Sequence, residues 1–165
     1  MIINHPSHLN LLFPQWQGSG PSNILFYGAN RLTAACPELN FITVPIPEEE
    51  VLEVSHDILG YGSILSQLTR AKQTIEQTNP SSIMVIGGDC GIELAPVSFM
   101  NKRHEGDLAL VWLDAHADLN TPASSPSKHF HGMPLRALCG EGERSILDHC
   151  FSILSPDQVI LAGTR

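Results

Sequence analysis

The sequence predicts an α/β fold, a three-layer, doubly wound sheet of mainly parallel strands, and three observations lead there. Ile83–Ile86 (IMVI) and Leu108–Leu113 (LALVWL) are apolar runs without alternation, the pattern of strands buried on both faces of a parallel sheet. A segment that reads as a helix separates them, and the rhythm of strand, helix, strand continues along the chain. Both runs end in polar turns built from glycine and aspartate, at the strand ends where open α/β sheets bind ligands.

Each element follows in order. Residues 1–22 read as loop, punctuated by Pro6, Pro14, Gly18, Gly20 and Pro21. The opening MIINHPSHLN lacks the basic start and apolar run of a secretory leader. Asn23–Tyr27 (NILFY), closed by Gly28, and Phe41–Val44 (FITV), closed by Pro45, have strand length and composition. PIPEEEVLEV is an acidic connector. From Ser63 to Thr78, Leu65, Leu68, Ala71 and Ile75 fall on one helical stripe, which Asn79-Pro80 stops. GIELAPVSFMNK is a helix, with Pro96 in its first turn or at a kink. Met133–Cys139 and Arg144–Phe151 read as short helices, and Gln158–Ala162 as a last buried strand. No repeat or linker divides the chain, so residues 1–165 read as one unit. A strand stands directly at the C-terminal end with no helix to cover it. The expectation is therefore the N-terminal portion of a larger single domain, or a fold finished by a partner chain.

Composition bounds the function. With 165 residues, 42% hydrophobic and 16% charged, the chain has the makings of a core, and disorder is excluded. No window approaches the ~18 uninterrupted apolar residues of a membrane span. A net charge of −8 argues against nucleic acid and against an anionic membrane surface, and suits a small cationic substrate. Cys36, Cys90, Cys139 and Cys150 form no C-x-x-C pair, which reads as reduced thiols in a cytoplasmic protein.

The chemistry concentrates in three places. Asp114, His116 and Asp118 stand two residues apart after a buried strand, so in extended chain their side chains share a face. Two bare carboxylates that close repel, a divalent cation removes the penalty, and imidazole with carboxylate suits Mn²⁺, Zn²⁺ or Fe²⁺. The bland alternative is a solvated turn. Gly87-Gly88-Asp89-Cys90 turns tightly after the preceding strand and brings Asp89 and Cys90 to the same edge, although Cys90 could equally be an inert core thiol. His129 and His131, in SKHFHGMP, offer an imidazole over the site or else a surface pair on a loop.

Together the three segments resemble the ureohydrolase family of arginases, agmatinases and related amidinohydrolases, which carries G-G-D-H, D-A-H-x-D and H-G-x-P in this order. Here they stand as Gly87–Cys90, Asp114–Asp118 and His131–Pro134, and the closing ILAGTR is similar to the family's next core strand. The resemblance implies an arginase-like fold and a dinuclear manganese site. Asp114, His116 and Asp118 match its metal ligands, Asp114 bridging the two ions, with Cys90 at a further ligand position, and His131 matches the histidine that assists substrate positioning and proton transfer. The loop opening with D-x-N-T-P implies that Asn120 and Ser127 contact the amino-acid end of a guanidino substrate, with His129 at a further substrate position.

The resemblance has departures. Cys90 replaces a ligand histidine, and a thiolate shifts preference toward Zn²⁺ or Fe²⁺. His129 replaces an asparagine. The family's later S-x-D-x-D segment and its guanidinium-clamping glutamate have no counterpart in these residues. The implied reaction is metal-assisted hydrolysis of a linear amidine with release of urea, in a homo-oligomer. The 165 residues alone are expected to be inactive. The alternatives are a catalytically silent family member with a folding or oligomerisation role, and a related zinc deacetylase.

Overall fold

A computed structural model describes residues 7–165; the reading of the opening residues as no secretory leader rests largely on residues 1–6, outside the described residues. β1 (His8–Phe13) sits in the middle of a parallel sheet, between β2 (Phe41–Thr43) and β5 (Ser82–Gly87). Between β2 and β5 the chain forms a small antiparallel hairpin, β3 (Val54–Ser55) and β4 (Ile58–Leu59). β6 (Leu110–Leu113) and β7 (Val159–Ala162) pair in parallel as a second ribbon. Among the described residues the α-helices that accompany the strands are α1 (Ile24–Ala34), α2 (Tyr61–Thr78), α3 (Leu94–Arg103), α4 (Pro134–Leu138) and α5 (Arg144–Leu147).

The winding follows from strand order. From β1 the chain steps to β2 on one side, then crosses back to β5 on the other. Right-handed crossovers put α1 and α2 on opposite faces. Leu9, Leu11 and Phe13 project from β1 onto the face covered by Ala71 and Ile75 of α2 and by Ala95 and Phe99 of α3, and this is the main core. A second cluster joins Ile64 and Leu68 to Phe130 and Met133, and a third seats α4 on Trp112 of β6 through Leu135 and Leu138. Pro96 lies in the first turn of α3, where a missing N–H costs nothing.

Several sequence expectations change. The segment read as loop contains the central strand β1. Its polar His8 and Asn10 masked it, and their side chains bond to each other at 2.9 Å while His8 also meets Ser82 at 2.8 Å. NILFY opens α1 instead of a strand: Ala29 is buried, with Phe26, Asn30 and Thr33 half-buried on the same stripe, while Ile24 and Leu32 face outward. A short apolar run cannot distinguish the two periods. The acidic connector leads into the β3–β4 hairpin, which begins at its last residue, Val54, and only Arg144–Leu147 of the last helical segment is helix. Finally, β5, β6 and β7 are not buried on both faces. Val111 is 53% exposed, Leu113 80% and Ile160 55%, because no layer among the described residues covers that side of the β6–β7 ribbon.

Candidate metal centre

The site grows from the carboxyl ends of β5 and β6. After β5 the backbone passes so close to the strand below that a Cβ on Gly88 would lie 1.6 Å from the Gln15 carbonyl oxygen. Only glycine fits there. The turn is held by the Asp89 amide, which donates to that carbonyl at 2.9 Å. The Asp89 carboxylate, buried, accepts from the backbone amides of Gly18 and Gly91 at 2.9 Å each. Burial pushes its pKa up to about 7 against those two bonds, with the charge of Asp118 adding to the rise. Asp89 thus ties the end of β5 to the loop after β1, the point where the winding reverses. It delivers the next residue, Cys90, to the site.

After β6 the chain makes a different turn. The Asp114 amide donates to Ala162 at 3.1 Å and the Arg165 amide to Ala115 at 3.2 Å, so β7 clamps the segment. Asp114 Oδ1 accepts from the His116 amide at 2.8 Å. Asp118 adopts φ 49°, the left-handed region, a conformation costly for a residue with a Cβ and common at functional sites. Its carbonyl accepts from the Arg136 amide at 3.2 Å, which seats it against the start of α4.

These turns bring Cys90 Sγ and a carboxylate oxygen each of Asp114 and Asp118 within 4.8 Å of one another. The thiol donates to Asp114 Oδ2 at 3.6 Å. Asp118 is 5% exposed, and its Oδ2 accepts no hydrogen bond among the described residues. A buried carboxylate oxygen without a donor is costly, and a cation beside it would satisfy it. Burial, followed by the nearby charges of Asp118, Asp114 and Asp89, drives the Cys90 thiol far above its ordinary range. Burial raises Asp118 as well, and the Asp114 charge adds to it. Both shifts have the sign expected of acidic groups crowded together away from water; a bond from Cys90 and the charge of His116 lower Asp118 only in part. The donor set of one thiol and two carboxylates therefore fits a divalent cation.

The remaining sequence-predicted residues stand around this trio at varying distance. His116 points outward; its Nδ1 lies 3.5 Å from Asp114 Oδ1 with the side chain 73% exposed, because the chain leaves the extended form after Leu113. His131 is half-buried in a turn anchored by the buried Phe130 and Met133. Burial lowers its pKa, and His129 and His116 lower it further. The His129 ring lies 5.9 Å from that of His131 and packs over Gly20. The Asn120 amide donates to Gly132 at 3.0 Å, and Asn120 Oδ1 accepts from Ser124 at 3.1 Å. Ser127 Oγ accepts from the His129 amide at 3.3 Å. Asn120 and Ser127 are exposed, on the loop beside the histidine turn.

Sequence reasoning missed two supports. Asp89 was placed at the correct edge without a role, though an aspartate two residues before a glycine is a recognisable turn-capping signal. The β3–β4 hairpin holds the loop before the histidine turn, the Leu59 amide donating to the Lys128 carbonyl at 2.9 Å and Asp57 pairing with Lys128 at 3.3 Å. No local signal marks that contact.

Comparison with known proteins agrees with this architecture. A family model described as the arginase family matches residues 29–165. The arginase of Staphylococcus aureus (strain MRSA252) is 44% identical over 82 residues, which is 50% of this chain and 27% of that enzyme. The arginase of Bacillus subtilis (strain 168) is 30% identical over 126 residues, 74% of this chain and 42% of that enzyme. The crystal structure of Entamoeba histolytica arginase in complex with L-ornithine aligns with a TM-score of 0.79 at 23% identity, covering 99% of this chain and 60% of that one. At that identity the likeness is one of fold. The chain thus spans less than two thirds of the length of each relative.

Proposed function

The chain belongs to the arginase family and has its α/β, mainly parallel fold, and from that premise we propose that it carries a metal centre for hydrolysis of a guanidino compound, with release of urea. The observation that supports the reading is the convergence of Cys90, Asp114 and Asp118 around the unpaired Asp118 oxygen. We assign these three as the residues that hold the cation, with His116 reaching it by a turn of its exposed side chain. A divalent cation bound there supplies Lewis acidity and draws the pKa of water toward neutrality; manganese is the family's ion, and the Cys90 thiolate also suits Zn²⁺ or Fe²⁺.

The other residues follow from their surroundings. His131, with its pKa below the ordinary histidine value, is neutral at pH 7, so a ring nitrogen can accept a proton and return it to the leaving amine. Asn120, Ser127 and His129 line the approach and bind the far end of the substrate. The net charge of −8 favours a cationic guanidinium in encounter. All four cysteines are free thiols, in keeping with a reducing cytoplasm, and no helix among the described residues is long and apolar enough to cross a membrane. A homo-oligomer belongs to the same proposal. With only three donors converged, we expect the 165 residues alone to bind metal weakly and turn over no substrate.

The test is manganese-dependent urea release from arginine, agmatine and related guanidino compounds, assayed on the longest natural form. Asp118→Asn should lower turnover by about 100-fold or more, since even outer-shell partners of a metal are worth ~10–100-fold. Undiminished turnover in Asp118→Asn would refute the ligand assignment.

A further inference from the structure

The loop proposed to bind the far end of the substrate, residues 119–127, is fastened by the residue that follows it. Inside the loop the bonds are local. The Ser124 hydroxyl accepts from the Thr121 amide at 2.8 Å and donates to Asn120 Oδ1 at 3.1 Å, and the Ser125 amide donates to the Thr121 carbonyl at 3.0 Å. Lys128 ties this turn to its surroundings. Its ammonium donates to the Pro122 carbonyl at 3.0 Å, six residues back, and lies 3.3 Å from Asp57 Oδ1 at the tip of the β3–β4 hairpin. Its own carbonyl accepts from the Leu59 amide at 2.9 Å.

The backbone is strained on both sides of this contact. Lys128 has φ 60° and Asp57 has φ 59°, in the left-handed region that is costly for a residue with a Cβ and that aspartate tolerates better than lysine. A glycine would hold the Lys128 turn without that cost. Strain of this kind persists where the surroundings enforce it, and it collects at functional sites. Here the bonds made by Lys128 enforce it.

We infer that Lys128 is a positioning residue: its ammonium clasps the loop at Pro122, keeps Asn120 and Ser127 beside the histidine turn, and through them sets the affinity for the guanidino substrate. The inference rests on the proposed hydrolase reading. Its two ties differ in weight. The bond to Pro122 is partly buried and charge-assisted, whereas the Asp57 carboxylate is 63% exposed, and exposed ion pairs contribute little. His131 is held separately, in a turn anchored by the buried Phe130 and Met133. Loss of the ammonium therefore weakens binding and leaves the proton-transferring ring in place.

Two measurements test this. In the full 165-residue chain, amide hydrogen exchange at Ser124 and Ser125 should quicken about tenfold in both Lys128→Met and Lys128→Gly. It should return to the wild-type rate in Lys128→Arg and change by less than about threefold in Asp57→Asn. The glycine variant separates the two roles of the residue, because it relieves the left-handed turn while removing the ammonium; a residue with a backbone role alone would be improved by it. In the longest natural form with manganese, on whichever of arginine and agmatine it hydrolyses, Lys128→Met and Lys128→Gly should raise KM about tenfold with kcat within about twofold, and Lys128→Arg should restore KM. Wild-type exchange in Lys128→Met, or a fall in kcat with KM unchanged, would overturn the inference. The exchange measurement needs no turnover, so absence of urea release would count against the hydrolase reading while the clasp is still judged by exchange.

Discussion

Asp114 and Cys90 are visible to inspection as candidate donors, but their chemistry depends on crowding that no pattern displays. Asp89 and Asp118 are buried and Cys90 and Asp114 half-buried among one another, and the raised pKa values of Asp89, Asp118 and Cys90 express that cost. His116 shows the opposite: its spacing predicts convergence, and the left-handed turn that ends at Asp118 leaves it exposed. A cysteine outside the site offers a clean measurement. Cys150 packs against the second core cluster, and burial pushes its pKa up from 9.0 to about 11, partly offset by Lys72. Below about pH 9 the thiol is neutral in both folded and unfolded chains, so it contributes no pH dependence there. Between about 9 and 11 the unfolded chain deprotonates first, and stability falls as pH rises. Alkylation of Cys150 at pH 8 should accordingly be about 100-fold slower in the folded protein than in urea, because two pKa units separate the thiolate populations. Peptide mapping after timed iodoacetamide treatment measures it, and equal rates would mean an accessible, unshifted thiol.

Elements were legible wherever one period dominated. The α2 stripe is read correctly because it spans 18 residues with Leu68, Ala71 and Ile75 buried, long enough for a 3.6-residue period to stand out. NILFY is too short for that, and β1 carries two polar residues on one face. The stripe also makes an energetic prediction. Ile75 is fully buried in the main core, so Ile75→Ala should cost about 2–5 kcal/mol. Leu65, half-buried on the same helix, should cost less than half as much when changed to Ala. Urea denaturation of both variants checks the ratio, and similar losses would show that the two positions share one environment.

For the molecule as a whole, the proposed metal centre, with its Asp118 oxygen that accepts no hydrogen bond among the described residues, predicts that stability responds to metal. Manganese at 100 times its Kd should raise the unfolding free energy by about 2.7 kcal/mol, roughly 5–10 °C in Tm for a domain of this size. A chelator should reverse the gain and Asp118→Asn should abolish it; a thermal shift that survives the substitution would place the ion elsewhere. The features legible in the amino-acid order are local and chemical: α2 and α3, the apolar character of β5, β6 and β7, and the donor-bearing turns that follow two of those strands. Those features are written in neighbouring residues, through periodicity, glycine turns and the spacing of ionisable groups. It takes the folded chain to show that β1 lies between β2 and β5, that Asp89 ties the site to Gly18, that His116 faces outward, and that β5 and β6 belong to separate ribbons. Each of these is a pairing between segments far apart in the chain. Such a pairing is selected by the packing and backbone bonding of the whole fold, which no single window of sequence contains.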